Sequence, residues 1–482
     1  MPIDIFDQNF QDSSETKQQT VDVVQLSLQT QKQNINHQYE FENLGISFEL
    51  SQVLEAHSIT KPTLIQQLSI KQINLHSSLI VSPTASGKTL CFVLPSLQHL
   101  TQNPQPFHSI FLAPTRELAQ QIFDQVSCYS RTFGLQPCLI TGGQSISLQT
   151  GQLRDGPYII VATPGRLASI IRSIQSDIST YFENNQFLVL DEADFFFTDD
   201  TQFNDDLTTI IQHLPKTKKV VLATASNNFL LNQFAELHQY QKIISPSFRI
   251  PQNILQHFKI VPQDFQASSY LAFFLSILTG IDVANKNDGK PQNKNVLNTK
   301  IRQGIVFAES GEQAEIYNRL LNQLNFKSVA LHGKMKQDDR FLSIQQFRLG
   351  QALILVATDL ASRGLDIPKV DFIFQMNIPK SDTYLHRIGR VGRSGQNGTS
   401  MIFMKANEFL FKDNIEADHN ITIPELINFN NWCWNGKIDN FNEDWLIREV
   451  FPKVSKAELT AKMDIQMENI GERINRKKSF YK

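Results

Sequence analysis

The chain has 482 residues, enough for two or three domains that each bury a core. Hydrophobic residues make up 41% and charged residues 19%, as in a globular chain, and a net charge of -2 excludes a global basic field, so any polyanion site must be local. Cys91, Cys128, Cys138 and Cys433 lack paired C-x-x-C spacing, which argues against a zinc site or disulfide framework and for a reducing compartment. No apolar run is long enough to span a bilayer. Asp4 and Asp7, with no early Lys or Arg, argue against a secretory or mitochondrial targeting segment, so nucleus or cytoplasm is expected, away from membranes.

Residues 1–38 are rich in Gln, Ser, Thr and Asp and read as a disordered extension. Helical spacing covers Phe48–Ala56 and breaks at Pro62-Thr63. Strands are expected at Leu79–Val81, Ile110–Ala113, Tyr158–Ala162, Phe187–Leu190 and Val220–Leu222, alternating with helical segments. That alternation implies parallel βαβ units, and so a doubly wound sheet over residues 39–246. Two prolines between Ser245 and Gln252 mark a boundary. A second α/β series then occupies 253–420, with strands at Gly304–Phe307, Ser328–Leu331, Leu353–Ala357 and Phe372–Phe374. The polar stretch 285–300 reads as a surface insertion. Residues 421–482 form an extension whose Trp432, Trp434 and Trp445 either pack on the second domain or bind a partner. There Ser455-x-x-Glu458 predicts a helix start, and Leu459, Met463, Met467, Ile470 and Ile474 recur as an apolar stripe. Arg476-Lys477-Lys478 is a solvated helix end, a basic RNA-touching tail or a nuclear address.

Two stretches carry chemistry. Ser82 to Thr89 lies between the first strand and its helix and ends in Gly87-Lys88-Thr89, the end of a phosphate-binding loop. Backbone N–H groups around Ser86 and Gly87 can cradle phosphates, Lys88 can reach the β- and γ-phosphates, and Thr89 can ligate Mg²⁺. Ser82 stands where a Gly or Ala is usual, and Ala85 where Gly is frequent. The second stretch is Asp191-Glu192-Ala193-Asp194, which begins where the apolar run Phe187–Leu190 stops. Asp191 can hold a hydrated Mg²⁺ together with Thr89, and Glu192 can orient or deprotonate a water. A nucleoside-triphosphate hydrolase is the expectation.

Further stretches complete a series: Lys61 to Gln66, Pro114 to Ala119, Gly142-Gly143, Thr163 to Arg166, His332-Gly333, Ala357 to Asp366 and His386 to Arg393. On these residues the sequence, from about Phe41 to about Phe403, resembles the DEAD-box RNA helicases. The resemblance implies two tandem RecA-like domains with an inter-domain cleft for ATP and RNA. It implies that Gln66, supported by Phe41, reads adenine and that Asp366 touches the ATP ribose. It assigns Lys88, Asp191 and Glu192 to catalysis, with Arg390 and Arg393 as arginine fingers. Pro114, Arg116, Gly143, Thr163 and Arg166 become RNA-backbone contacts of the first domain, and Gln337, Arg340, Thr358 and Gly364 those of the second. ATP and Mg²⁺ are the implied cofactors. The implied partner is single-stranded RNA or a short duplex, gripped by a monomer whose termini recruit protein partners.

One departure matters. The family's Ser-Ala-Thr is read here as Ala223-Thr224-Ala225, which places the hydroxyl on the middle residue. Strand alternation would then turn it away from the acidic box and weaken unwinding, unless a bulge lets Thr224 and Ser226 serve as the outer pair. This keeps an ATP-gated RNA clamp as the alternative function, while a DNA helicase is disfavoured by the resemblance alone. Phe195-Phe196-Phe197 is bulkier than usual after an acidic box and is expected to pack.

Overall fold

The computed structural model describes residues 41–83, 86–174, 178–197, 201–216, 218–226, 229–245, 253–261, 267–279, 303–359, 367, 370–391, 397–426 and 451–480. The expected extension 1–38, the insertion 285–300, the three tryptophans, Gly364, Asp366 and Arg393 lie outside the described residues. The described residues form two compact units, 41–245 and 253–480.

In the first unit the elements run α1 (Phe48–Ala56), α2 (Leu64–Leu75), β1 (Ser78–Val81), α3 (Lys88–Gln102), β2 (Ser109–Leu112), α4 (Arg116–Ser130), β3 (Pro137–Ile140) and α5 (Ile146–Arg154). They continue β4 (Ile159–Ala162), α6 (Pro164–Ser173), β5 (Phe187–Asp191), α7 (Thr201–Ile211), β6 (Lys219–Thr224), α8 (Phe229–Leu237) and β7 (Gln241–Ile244). Helix starts follow local chemistry. Ser47, Thr115 and Ser145 each accept a backbone N–H of the first turn, from Leu50, Leu118 and Leu148.

The seven strands pair in parallel in the order β3-β4-β2-β5-β6-β1-β7. Helices cover both faces, so strand residues feed two cores alternately. Leu188, Leu190, Val220 and Leu222 enter one cluster, and Phe187, Val189, Val221 and Ala223 the other. The sequence pattern misses the two edge strands. β3 is half-exposed at alternate positions and β7 is only partly covered, so neither shows a continuous apolar run.

The second unit runs β8 (Ile254–Ile260), α9 (Ala267–Thr279), β9 (Gly304–Phe307), α10 (Gly311–Gln323), β10 (Ser328–Leu331), α11 (Gln337–Arg348) and β11 (Ile354–Ala357). It continues β12 (Phe372–Gln375), α12 (Ser381–Ile388), β13 (Gly398–Met404), α13 (Phe409–His419) and α14 (Phe451–Phe480). Six parallel strands lie in the order β10-β11-β9-β12-β13-β8. β13 is fully buried, yet its first residues are Gly, Thr and Ser, which hides it from an apolar-run reading.

The terminal helix differs from expectation in start and face. α14 begins at Phe451, one turn before Ser455, and Glu458 is an interior residue that accepts from the Ser268 hydroxyl and pairs with Lys462 at 2.7 Å. Its buried face carries Val454, Ala457 and Ala461, whereas Leu459 and Met463 are exposed. Small side chains let α14 lie close on α9 and α10, a fit that leucine spacing does not reveal. Among the described residues no helix is long and apolar enough to cross a membrane.

Gly304 opens β9 directly beneath Phe372, where an added Cβ would stand 2.0 Å from the ring. Overpacking a core costs about 1–3 kcal/mol, so Gly304→Ala should destabilise the second unit by about 2 kcal/mol, read as a lowered urea midpoint. An unchanged midpoint would show that the ring has room to move.

Candidate functional site

The chemistry-bearing side chains of the first unit stand at the carboxyl ends of β4, β2, β5, β6 and β1, five consecutive strands of the sheet. In an open parallel sheet this is the edge where ligands bind.

After β1, the Ser82 hydroxyl donates to the Ser86 hydroxyl at 2.8 Å, so the unusual Ser82 ties the phosphate loop across its own width. Lys88 opens α3 and turns back, its Nζ donating to the carbonyls of Ser82 at 2.6 Å and Pro83 at 2.9 Å. Burial pulls the Lys88 ammonium below the usual lysine range, and the negative field of Asp191 and Glu192 opposes that shift. Thr89 follows in the same first turn and is half-buried. Gly87 has φ +89°, and a Cβ there would lie 2.5 Å from Gln66 Nε2, so both conformation and space demand glycine. Gln66 Nε2 donates to Gly87 O at 3.0 Å, and its Oε1 accepts the Thr63 N–H at 2.8 Å. A carboxamide has two N–H groups and two lone pairs, so each end keeps capacity for a second bond. Phe41 is buried in the core cluster that also holds Ile65.

Asp191 is the last residue of β5, a strand buried throughout. Glu192 has φ +52°, a left-handed conformation that costs a non-glycine residue about 1–3 kcal/mol and turns the chain back over the strand end. The Glu192 N–H donates to Asp191 Oδ1 at 3.0 Å. Burial, with Glu192 alongside, pushes the Asp191 carboxyl up to about 7. Glu192 Oε2 is buried with no hydrogen-bond partner among the described residues. Two crowded carboxylates with an orphaned oxygen fit a divalent cation. Among the described residues no cluster of three or more His, Cys, Asp or Glu could hold a metal alone. Mg²⁺ takes one or two carboxylates and fills its shell with water and phosphate oxygens.

The acidic box is tied to β6, and the hydroxyl placement expected at Ala223-Thr224-Ala225 is corrected. The Thr224 hydroxyl donates to Asp194 Oδ1 at 2.8 Å, and the Ser226 N–H donates back to Thr224 Oγ1 at 3.0 Å. β6 pairs with β5 in regular register, Leu190 opposite Leu222 and Asp191 opposite Ala223, so no bulge is involved. The turn Ala193–Phe195 folds over the face that carries Leu190 and Leu222. Thr224 shares that face by alternation, and Ser226, also buried, lies beside it with the hydroxyls 3.2 Å apart. The hydroxyl pair is therefore Thr224-Ala225-Ser226, one residue further on than the sequence reading placed it. Phe196 and Phe197 are buried as expected, with Phe197 edge-on to Phe234 at 4.9 Å between ring centroids.

Beside the acidic box, Pro114, Arg116, Gly142, Gly143, Thr163 and Arg166 share the wall of one open pocket of about 520 Å³. Three loops that the sequence could only treat separately thus converge. Gly142 is packed against the Arg116 guanidinium, which an added Cβ would meet at 2.5 Å. Arg166 is anchored by Nε to Thr141 O at 3.2 Å and by Nη2 to Gln144 O. Two guanidinium groups, glycine backbone and the start of α6 make this pocket suited to an extended polyanion.

In the second unit His332 follows β10 and faces Glu315, Nε2 to Oε2 3.5 Å. Gln337 and Arg340 occupy the first turn of α11, three residues apart on one face, and the Thr358 N–H donates to Leu331 O at 3.2 Å after the neighbouring β11. A role that sequence reasoning missed belongs to Arg387. All its donors are used: Nε and Nη2 grip the Asp359 carboxylate at 2.6 and 2.7 Å, and Gln375 and Asn377 take the rest. Its guanidinium also lies 4.8 Å from the centre of the Phe307 ring. Arg390 follows in the turn after α12, its N–H donating to Arg387 O at 3.1 Å and its carbonyl accepting the Val370 N–H at 2.8 Å.

Two family models match the chain: DEAD/DEAH box helicase over residues 63–231, and the helicase conserved C-terminal domain over residues 292–395. The chain is 32% identical over 454 residues to the ATP-dependent RNA helicase DBP8 of Candida glabrata, covering 92% of this chain and 96% of that one. The chain belongs to the DEAD-box helicase family. The Saccharomyces cerevisiae protein of the same name is 33% identical, over 91% of this chain and 97% of its own. The fold is also that of a solved structure of Mss116p bound to ssRNA and AMP-PNP, at TM-score 0.70 and 23% identity, over 91% of this chain and 87% of that one.

Two substitutions test these contacts in this DEAD-box helicase. Removing one partner of a buried ion pair costs about 3–5 kcal/mol, at the low end where, as at Asp359, the remaining partner is partly exposed. Arg387→Ala should therefore lower stability by about 3 kcal/mol in urea unfolding, and Arg387→Lys should recover only part of it, because an ammonium lacks the fork. Full recovery with lysine would reduce the site to a point charge. The triple change Ala223→Ser, Thr224→Ala, Ala225→Thr would break the Asp194 bond and bury a new hydroxyl at position 223 among apolar side chains. A buried unpaired hydroxyl costs about 1–3 kcal/mol, so the triple variant should be less stable and open no more duplex per phosphate released. A gain in strand displacement per ATP would restore the placement of the hydroxyls expected from sequence.

Proposed function

We propose that the chain is an ATP-dependent RNA helicase that grips the RNA backbone without reading bases and opens short duplexes, or remodels RNA–protein complexes, with the energy of ATP hydrolysis. One observation carries this reading: the phosphate loop, the buried acid pair and the arginine–glycine pocket meet at adjacent strand ends of a single sheet. The names of the relatives at 32% and 33% identity support it.

In this reading Ser86, Gly87 and Lys88 receive the phosphates, and Lys88 exchanges its loop carbonyls for β- and γ-phosphate oxygens. Gln66 uses its spare donor and acceptor on adenine, and through its bond to Gly87 O base occupancy bears on the phosphate loop. Thr89 and Asp191 would hold Mg²⁺, partly through water, and the ion would supply positive charge to the phosphates. Glu192 orients the attacking water with its orphaned oxygen, and Arg390 and Arg393 bring guanidinium charge to the γ-phosphate. Pro114, Arg116, Gly143, Thr163 and Arg166 hold RNA on the first unit, and Gln337, Arg340 and Thr358 on the second. The clamp alternative drew its main support from the hydroxyl placement at Ala223-Thr224-Ala225, and the bond from Thr224 to Asp194 favours the helicase reading instead.

Lys88→Ala should abolish phosphate release, and Glu192→Gln should bind ATP and RNA yet fail to turn over, leaving a long-lived complex in fluorescence anisotropy. Wild-type turnover in either variant, or equal stimulation of the unaltered chain by RNA and DNA, would overturn the reading.

A further inference from the structure

The arginine–glycine pocket of the first unit contains one residue of the wrong sign for a phosphate site. Asp206 projects from α7 into its wall, although the residue is almost fully buried. Its two oxygens have different surroundings. Oδ1 accepts Arg172 Nη1 at 2.8 Å, an ion pair that joins α6 to α7. Oδ2 lies against Gly165 so closely that a Cβ on that residue would stand 3.1 Å away. Among the described residues no donor hydrogen-bonds Oδ2. Glycine at position 165 leaves room for this carboxylate oxygen at the pocket wall, and Arg172 holds the carboxylate's other edge in place.

A carboxylate cannot serve a phosphodiester, since both are anions at neutral pH and neither has a proton to give. It can accept from a hydroxyl. The one hydroxyl that recurs along a nucleic-acid backbone between phosphates is the ribose 2′-OH, and DNA lacks it. We propose that Asp206 Oδ2 accepts the 2′-hydroxyl of the nucleotide whose phosphates are held by Arg116, Arg166 and the start of α6, and so makes Asp206 the residue of this pocket that distinguishes RNA from DNA. RNA gains a charge-assisted hydrogen bond. DNA places a methylene against a desolvated carboxylate, so the same residue both rewards one ligand and penalises the other. This rests on the proposed RNA-binding reading of the pocket.

The test uses the full chain with AMP-PNP and Mg²⁺, and fluorescein-labelled ten-nucleotide oligo(U) and oligo(dU) as probes in equilibrium anisotropy. A hydrogen bond to a charged group is worth about tenfold or more in affinity, so Asp206→Ala should lower the RNA-to-DNA affinity ratio about tenfold. Affinity for oligo(dU) should hold or rise, because a negative charge leaves the pocket. Asp206→Asn, which keeps an acceptor oxygen without the charge, should give an intermediate ratio, and it carries the test alone if the alanine variant does not fold. A purely structural role, the α6–α7 ion pair, would weaken both probes by the same factor; an unchanged ratio in a folded variant would overturn the proposal. Arg116→Ala and Arg166→Ala separate this failure from that of the pocket itself. If they weaken oligo(U) binding while the Asp206 ratio stays fixed, the pocket reading stands and the Asp206 proposal falls. If they leave oligo(U) binding intact, both fall.

Discussion

Everything chemical in this chain depends on parallel sheets covered on both faces. A strand buried on both sides can carry no charge along its length, so ionisable groups emerge only where the apolar run stops. β5 is buried from Phe187 to Asp191, and Asp191 sits at the limit of what burial allows. That position, with Glu192 crowded alongside, drives its carboxyl up to about 7. The left-handed Glu192 reverses the chain at once, so that Asp194 comes back within reach of β6. Strain, desolvation and the link between two strand ends are thus one feature.

The buried polar groups fall into two kinds. Some are saturated. Arg387 gives all its N–H groups to Asp359, Gln375 and Asn377, and its work is to hold the segments around it. Others retain capacity: Glu192 Oε2 has no partner, Gln66 has used half of its carboxamide, and Asp206 is engaged through one oxygen only. Leaving a buried polar atom unpaired costs about 1–3 kcal/mol, a cost that a bound ligand would offset. Lys88 stands between the two kinds, because its loop carbonyls hold it in place and phosphate oxygens can compete with them.

Sequence reading reached the central strands and the loops that follow them, because a strand buried on both faces is a continuous apolar run and its end is marked by the first polar residue. β1, β2, β4, β5 and β6 are legible for that reason, and with them the positions of Lys88 and Asp191; Arg116 and Arg166 stand out only through the family resemblance. The edge strands β3 and β7 are not legible, since half-exposure breaks the run, nor is β13, whose buried Ser400 hydroxyl is satisfied by Gln375 from the next strand. Spacing reveals the terminal helix but not its contact face: Leu459 and Met463 are exposed, Val454, Ala457 and Ala461 are buried, and the side chains of Met467, Ile470 and Ile474 lie outside the described residues.

What the sequence by itself determined was local: which runs are strands, which loops hold glycine beside lysine or acid, and hence that phosphate chemistry occurs at strand ends. What only tertiary structure decided was which groups meet. The one-residue error at Thr224 shows why. Hydroxyls at 224 and 226 are plain in the sequence, but the side on which the acidic box lies depends on how the turn Ala193–Phe195 folds over β5. Asp206 shows it again: α7 supplies a carboxylate to a pocket otherwise built from the loops after β2, β3 and β4, and nothing in its acidic neighbourhood marks it. Periodicity encodes which side of an element is buried, a short-range property of the chain. The partner across a sheet or a loop is set by packing between segments far apart in sequence, and no local pattern carries that information.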